Sequence, residues 1–240
     1  MKRFVILGLP RSGTTYLMTL LGAHRDVLCA GEQFNPYTVI GVAGDKDDSH
    51  EAVLGRDKDP VGHMQAFFAR AQAKGVACGG FKFMIGHNIN VLHELARDPD
   101  LTIIYVWREN KLAQVSSLIK AANSKTWAQT KVDAHVERKI RATPRQVSHR
   151  WHEYATFDHL ISMWLEKLPN PKVTFEYREM FDDWFEETVC GFLDIPYRKS
   201  MKSPLVKQGT NTIEQRFEDP KPIRYYFNQV GLGHWLEDEL

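Results

Sequence analysis

Gly8 and Gly13 lie five residues apart, with Pro10, Arg11 and Ser12 between them and Thr14 and Thr15 following. Residues of these types at this spacing can hold a phosphate. The glycines let the backbone wrap around an anion and aim its N–H groups inward. A helix starting just after the second glycine adds the favourable end of its dipole. Arg11 supplies a cation, and Ser12, Thr14 and Thr15 supply three hydroxyls. The spacing is that of a P-loop, with one departure: the lysine that normally follows the second glycine is Thr14 here. That lysine reaches the β- and γ-phosphates of a nucleoside triphosphate. Its replacement argues against ATP or GTP hydrolysis and leaves a loop suited to a nucleotide 5′-phosphate bearing another anionic group. A plain Gly/Ser-rich turn explains the combination poorly.

A second set of anion-binding groups follows much later. Arg108 closes the apolar run Leu101–Trp107, and Ser116 comes eight residues on. An arginine fork donates to two oxygens at once. If the intervening turn folds back, Arg108 and Ser116 converge on one small anion. The competing reading is an ion pair between Arg108 and a neighbour such as Glu109.

The elements that must position these groups are legible in outline. Phe4–Gly8 is a short continuous apolar run, as in a strand buried on both faces. Gly13–His24 has helical spacing through Leu17, Leu20 and Leu21. Asp26–Pro36 reads as a loop with an extended piece at Val27–Ala30, and Gly41–Pro60 as a surface insertion. Met64–Lys74, Ile89–Ala96 and Lys111–Ala122 read as helices. Gly79–Met84, Leu101–Trp107 and Lys172–Tyr177 read as strands. Ser124–Arg141 carries no clear pattern. Thr143 and Pro144 look like the cap and first residue of a helix reaching Lys167, and Phe181–Leu193 looks like another. Strands alternating with helices predict an α/β fold: a P-loop-type three-layer sandwich, its central parallel sheet flanked by helices. Ligands in such folds sit at the carboxyl ends of the strands, where the loops after Gly8, Met84 and Trp107 must lie.

The bulk properties narrow the classes. The 240 residues suffice for one sizeable core and are short for two, so a single domain is expected. The net charge of +1 gives no global field for nucleic acid or an anionic membrane. The three cysteines form no CxxC pair, which leaves zinc and redox motifs unsupported and favours a reducing compartment. The apolar run Phe4–Leu7 is too short for a signal peptide, and no stretch reaches the length of a membrane span. A cytoplasmic protein with no transmembrane segment is expected. The aromatic residues Tyr225, Tyr226, Phe227 and Trp235 suit either a core or an interface, which leaves the oligomeric state open.

Four motifs, taken in order, resemble one family. GLPRSGTT (Gly8–Thr15), GEQFNP (Gly31–Pro36), GFKFMIGH (Gly80–His87) and WRENKLAQVSS (Trp107–Ser117) follow the order and approximate spacing of the sulfotransferases that use 3′-phosphoadenosine 5′-phosphosulfate (PAPS). The chain looks most like the bacterial carbohydrate-type members related to the Nod-factor and trehalose sulfotransferases. VTFEYREMF…FLDIP (Val173–Pro196) extends the likeness, so it covers about residues 4–196; the last ~40 residues match weakly. The resemblance implies that Pro10, Arg11, Ser12, Gly13, Thr14 and Thr15 bind the 5′-phosphosulfate end of PAPS. It also implies that Arg108 and Ser116 bind its 3′-phosphate and that the product is the bisphosphate PAP. A sulfuryl group bears less charge than a phosphoryl group, and the sequence offers no convincing metal cluster, so no metal is expected to be required. The acceptor would be a hydroxyl-bearing small molecule or glycan, not a nucleic acid. Tyr37–Pro60 and Ser124–Arg145 would be its specificity segments.

Sulfuryl transfer to an alcohol needs a base, positive charge on the transferring group and an in-line acceptor. Glu32 is the first candidate base, because the resembling enzymes carry a Glu at this position; a solvated loop carboxylate is the plain alternative. His87 is the rival, with an ordinary pKa of ~6.5 suited to base work near neutrality. Lys82 can neutralise the bridging oxygen, or else snorkel to the surface. Strand alternation puts it on the face opposite Phe81 and Phe83. Trp127 could pack by the nucleotide or acceptor or sit in a core, and Lys207 could close over the 3′-phosphate. Two other function classes compete: a P-loop kinase using ATP, and a non-catalytic nucleotide-binding module.

Overall fold

The computed structural model describes residues 1–41, 44–124, 127, 139–205 and 210–240. Lys207 and most of the 124–145 segment lie outside the described residues. The chain forms two compact units: Met1–Leu9, Gly13–Trp107 and Trp164–Ser203 make the first, and Pro10–Ser12, Arg108–Met163 and Pro204–Leu240 the second.

The first unit begins with β1 (Lys2–Gly8), α1 (Thr14–Gly22) and β2 (Val27–Glu32). A small antiparallel pair follows, β3 (Val39–Ile40) with β4 (Lys46–Asp47), then α2 (His50–Lys58) and α3 (Pro60–Ala73). Next come β5 (Cys78–Met84), α4 (Ile89–Arg97) and β6 (Leu101–Trp107). The second unit holds α5 (Lys111–Ser124) and α6 (Pro144–Glu166) as far as Met163. The chain returns to the first unit for β7 (Lys172–Glu176) and α7 (Phe185–Phe192), and ends in the second with α8 (Lys221–Gln229).

Five strands pair in parallel in the order β2-β5-β1-β6-β7. This is the expected α/β sandwich. Alternation divides the sheet residues between two apolar layers. Phe4, Ile6, Ile104, Val106 and Phe175 join Leu17, Leu20 and Leu21 of α1 and Phe185 and Val189 of α7 in one core. On β5, Phe81 meets Phe67 and Phe68 of α3 with ring centroids 5.2 and 5.7 Å apart.

Three expectations need correction. Val27–Glu32 is a full strand and not a loop with an extended piece. It carries few β-branched or aromatic residues and pairs on one side only, with β5, so the ladder decides its conformation. The 41–60 segment is not all surface insertion, because it contains α2. That helix has little apolar face to betray it. Ser49 caps it by accepting a hydrogen bond from the Ala52 amide, and its buried Arg56 donates to the carbonyls of Asn35 (2.7 Å) and Thr38 (3.1 Å). Phe181–Leu193 is not one helix: a 3-10 turn at Arg178–Phe181 precedes α7, and Asp182 between them is extended.

The second unit has its own core, with Leu112 and Val115 of α5, Ile140, Val147, Ile213, Phe217, Ile223, Phe227, Trp235 and Leu236. Here α6 starts at Pro144, as expected. Thr143 Oγ1 accepts from the Gln146 amide (3.3 Å) and Gln146 Oε1 accepts from the Thr143 amide (2.9 Å), a reciprocal capping box. Phe227 and Trp235 are core residues, whereas Tyr225 is exposed. No helix among the described residues is long and apolar enough to cross a membrane.

Candidate functional site

In the first unit the geometry grows from strand ends. β1 ends at Gly8 and α1 begins immediately after Gly13. Gly13 has φ +104°, and its carbonyl accepts the first helical bond, from the Leu17 amide. A side chain at this position would be strained twice: the backbone is left-handed, and a Cβ would lie 2.4 Å from Met180 Cε and 2.7 Å from Tyr177 Cδ2. Gly13→Ala is therefore expected to lower stability by about 1–3 kcal/mol, read as an earlier urea midpoint at unchanged slope.

Thr14 is buried, with its hydroxyl 3.8 Å from Met84 Sδ. Thr15 lies in the first turn of α1, and Lys82 Nζ donates to its Oγ1 at 2.8 Å. The same ammonium pairs with Glu32 Oε1 at 2.7 Å. The sheet explains the meeting. Glu32, the last residue of β2, is in register with Lys82 on β5, and Lys82 with Ile6 on β1. Alternation then turns Lys82 away from the Phe81 and Phe83 layer and onto the α1 side. It is buried at 8% exposure rather than snorkelling to the surface. Glu32 is a strand-end residue, not a loop carboxylate, and its Oε2 also accepts from Asn35 Nδ2 at 2.7 Å.

Burial by itself would raise the Glu32 pKa, but the charge and hydrogen bond of Lys82, helped by Asn35, outweigh it and hold the carboxyl below its ordinary value. Burial lowers the His87 pKa; Lys82 and Arg56 push the same way and Glu32 opposes them. Among the described residues, several polar atoms of the first unit are buried without a hydrogen-bond partner: both amide atoms of Gln33, Nδ1 of His87 and Nε2 of His63. His63 packs edge-on against Phe34 with centroids 5.7 Å apart. Gln33 and His63 escaped the sequence reading, whose only hint was the adjacency of Gln33 to Glu32.

The second unit holds the middle of the phosphate loop. Gln114 Nε2 donates to the Pro10 carbonyl at 2.9 Å, and Arg108 Nη1 to the Arg11 carbonyl at 3.0 Å. Arg11 takes a positive φ of 65° and donates from Nε to Ser117 Oγ at 2.9 Å and from Nη1 to the Trp127 carbonyl at 2.6 Å. The Trp127 side chain itself is exposed. Ser12 is fully buried. Arg108 is buried too, and its ion-pair partner is Glu239, not Glu109. Nε donates to Oε1 at 2.6 Å, and Nη2 donates to Oε2 in a two-point fork. Ser116 Oγ donates to the Ala113 carbonyl at 3.0 Å and accepts from Arg216 Nη1 at 3.1 Å. Arg216 Nη2 stands 3.8 Å from Glu239 Oε2. Arg108 and Ser116 are thus linked through Glu239 and Arg216. Both linking residues fall in the weakly matching last stretch, where no motif marks them.

Among the described residues, no three or more His, Cys, Asp or Glu side chains gather as a metal site.

The comparisons with known proteins agree with this architecture. The profile described as the sulfotransferase family matches residues 3–75, which include β1, the phosphate loop, Glu32 and α3. Nodulation protein H of Rhizobium meliloti (strain 1021) is 28% identical over 240 residues, covering 98% of this chain and 94% of that protein. Nodulation protein H of Rhizobium tropici is 24% identical over 230 residues, covering 93% and 88%. The crystal structure of a sulfotransferase from Alicyclobacillus acidocaldarius shares the fold, with a TM-score of 0.50, 12% identity and coverage of 99% and 96%. The chain is thus similar to sulfotransferases in the sequence of its first 75 residues and in its fold.

Proposed function

We propose that this enzyme moves a sulfuryl group from PAPS to a hydroxyl of a carbohydrate or glycolipid acceptor. The observation that carries the reading is the bonded series Thr15–Lys82–Glu32. It joins a hydroxyl of the phosphate loop, a buried cation and a carboxylate held ionised by that cation. Those are the groups that sulfuryl transfer asks for.

In the reaction the acceptor oxygen forms a bond to sulfur as the bond between sulfur and the 5′-phosphate oxygen breaks. The acceptor proton passes to Glu32, and PAP leaves. Lys82 neutralises charge that grows on the leaving oxygen, while the loop N–H groups and hydroxyls of Thr14 and Thr15 hold the phosphosulfate. Gln33 and His87 suit hydrogen bonds to a polyol, since their buried polar atoms otherwise lose such bonds at a cost of about 1–3 kcal/mol each. Arg108 and Ser116 are assigned the 3′-phosphate.

Two measurements test this. Labelled PAPS incubated with a panel of hydroxyl-bearing acceptors is expected to yield labelled product, whereas ATP with magnesium is expected to transfer nothing. Thermal denaturation gives the second. At one hundred times its dissociation constant, PAP adds about 2.7 kcal/mol, a rise of roughly 5–11 °C in Tm for a chain of this size. AMP at the same concentration is expected to give a clearly smaller rise. Equal shifts with PAP and AMP would remove Arg108 and Ser116 as a 3′-phosphate site.

A further inference from the structure

We infer that Glu239 is an internal stand-in for the donor's 3′-phosphate: its carboxylate occupies the anion position built by Arg108 and Arg216, and nucleotide binding displaces it. The inference rests on the assignment of Arg108 and Ser116 to that phosphate.

The geometry is that of anion recognition rather than of a surface ion pair. Glu239 and both arginines are at most 9% exposed. The two Glu239 oxygens face Nε and Nη2 of Arg108, the edge of the guanidinium that binds carboxylate and phosphate alike. The remaining nitrogen, Nη1, holds the Arg11 carbonyl of the phosphate loop. One side chain therefore reads the loop and the carboxylate together. Arg216 approaches the same Oε2 while donating to Ser116 Oγ. Two cations thus converge on one carboxylate, and the Ser116 hydroxyl is tied to them through Arg216.

A phosphate monoester is the better occupant of such a place. It carries close to two negative charges at neutral pH and three acceptor oxygens, against one charge and two oxygens for Glu239. With the phosphate bound, Arg216 becomes a donor residue alongside Arg108 and Ser116.

The segment bearing Glu239 is held by contacts that can yield. Asp238 and Thr212 form an isolated antiparallel bridge, and the hydroxyl of Thr212 donates to the Asp238 carboxylate. Asn211 Oδ1 accepts from the Leu240 amide at 3.0 Å, and the Glu239 amide reaches the Asn211 carbonyl at 3.4 Å. The side-chain bonds among them are exposed, which places them at the low end of local stability.

The test compares wild type with Glu239→Gln by calorimetric titration with PAP and with AMP. Removing the competing charge is expected to tighten PAP at least about tenfold and to change AMP less than about threefold. Hydrogen exchange on the wild-type protein provides a readout that needs no variant: PAP is expected to speed amide exchange in residues 211–213 and 237–240. If Glu239→Gln binds PAP equally or more weakly while wild type still prefers PAP to AMP, the stand-in role is overturned and the donor assignment stands. Slower or unchanged exchange in those residues with PAP bound overturns it as well. If neither protein distinguishes PAP from AMP, the donor assignment itself falls and the inference falls with it.

Discussion

Glu32→Gln is expected to lower the turnover of sulfuryl transfer by about 10²–10⁴-fold while leaving PAP affinity within about twofold of wild type. The substitution keeps an oxygen that can accept from Lys82, so the β2 edge and the ammonium stay in place. What disappears is the charge proposed to receive the acceptor proton. Single-turnover rates and PAP titrations on the same preparation separate the two effects. Turnover that survives unchanged removes Glu32 as the base.

The pH profile discriminates between the two candidate bases. Glu32 titrates below its ordinary value of 4.5, so it stays ionised until the pH falls through that lowered value. With Glu32 as base, the acid limb of kcat/KM lies below 4.5. His87 also titrates low, but from 6.5. An acid limb between the carboxylate range and 6.5 that vanishes in His87→Asn would give the role to His87 instead. The Glu32–Lys82 ion pair also contributes to folding. Because the folded carboxyl titrates lower than the unfolded one, its stabilisation is fully present above 4.5 and is lost as pH falls through the folded value.

Arg108→Met is expected to destabilise the protein by about 3–5 kcal/mol, because it leaves the Glu239 carboxylate buried without its fork. At roughly 2–4 °C per kcal/mol, Tm should fall by about 6–20 °C. The partner substitution decides the cause. In Arg108→Met/Glu239→Leu neither charge of the fork remains, and Arg216 keeps its bonds to the Thr210 and Ala113 carbonyls and to Ser116 Oγ, so part of the lost stability is expected to return. PAP affinity should not return with it, since the cation that also holds the Arg11 carbonyl is gone. A double variant as unstable as Arg108→Met alone would place the cost in the loop contact and not in the ion pair. Thermal and PAP titration curves on the three variants give both answers.

The features written into adjacent residues were legible in the sequence. A buried parallel strand is a continuous apolar run, so β1 and β6 stand out. Thr143, Pro144 and Gln146 spell a capping box within four residues. The glycines of Gly8–Thr15 mark the turn between β1 and α1, and Thr14 in place of lysine argues against nucleoside triphosphate hydrolysis. The resemblance implies roles for Glu32, Arg108 and Ser116 that no local pattern states.

What only the tertiary structure decided is which charges meet. Val27–Glu32 is a strand because β5 supplies its ladder, and that pairing carries Glu32 from an apparent loop to the side of Lys82. Arg108 had a carboxylate one residue away in Glu109, yet it pairs with Glu239, 131 positions distant along the chain. The physical reason is one of range. Helices and buried apolar strands follow from side-chain periodicity that neighbouring residues carry, whereas an edge strand such as Val27–Glu32 needs its ladder partner. A buried ion pair is chosen by which groups lose water together once the chain has folded, and sequence separation does not enter that choice.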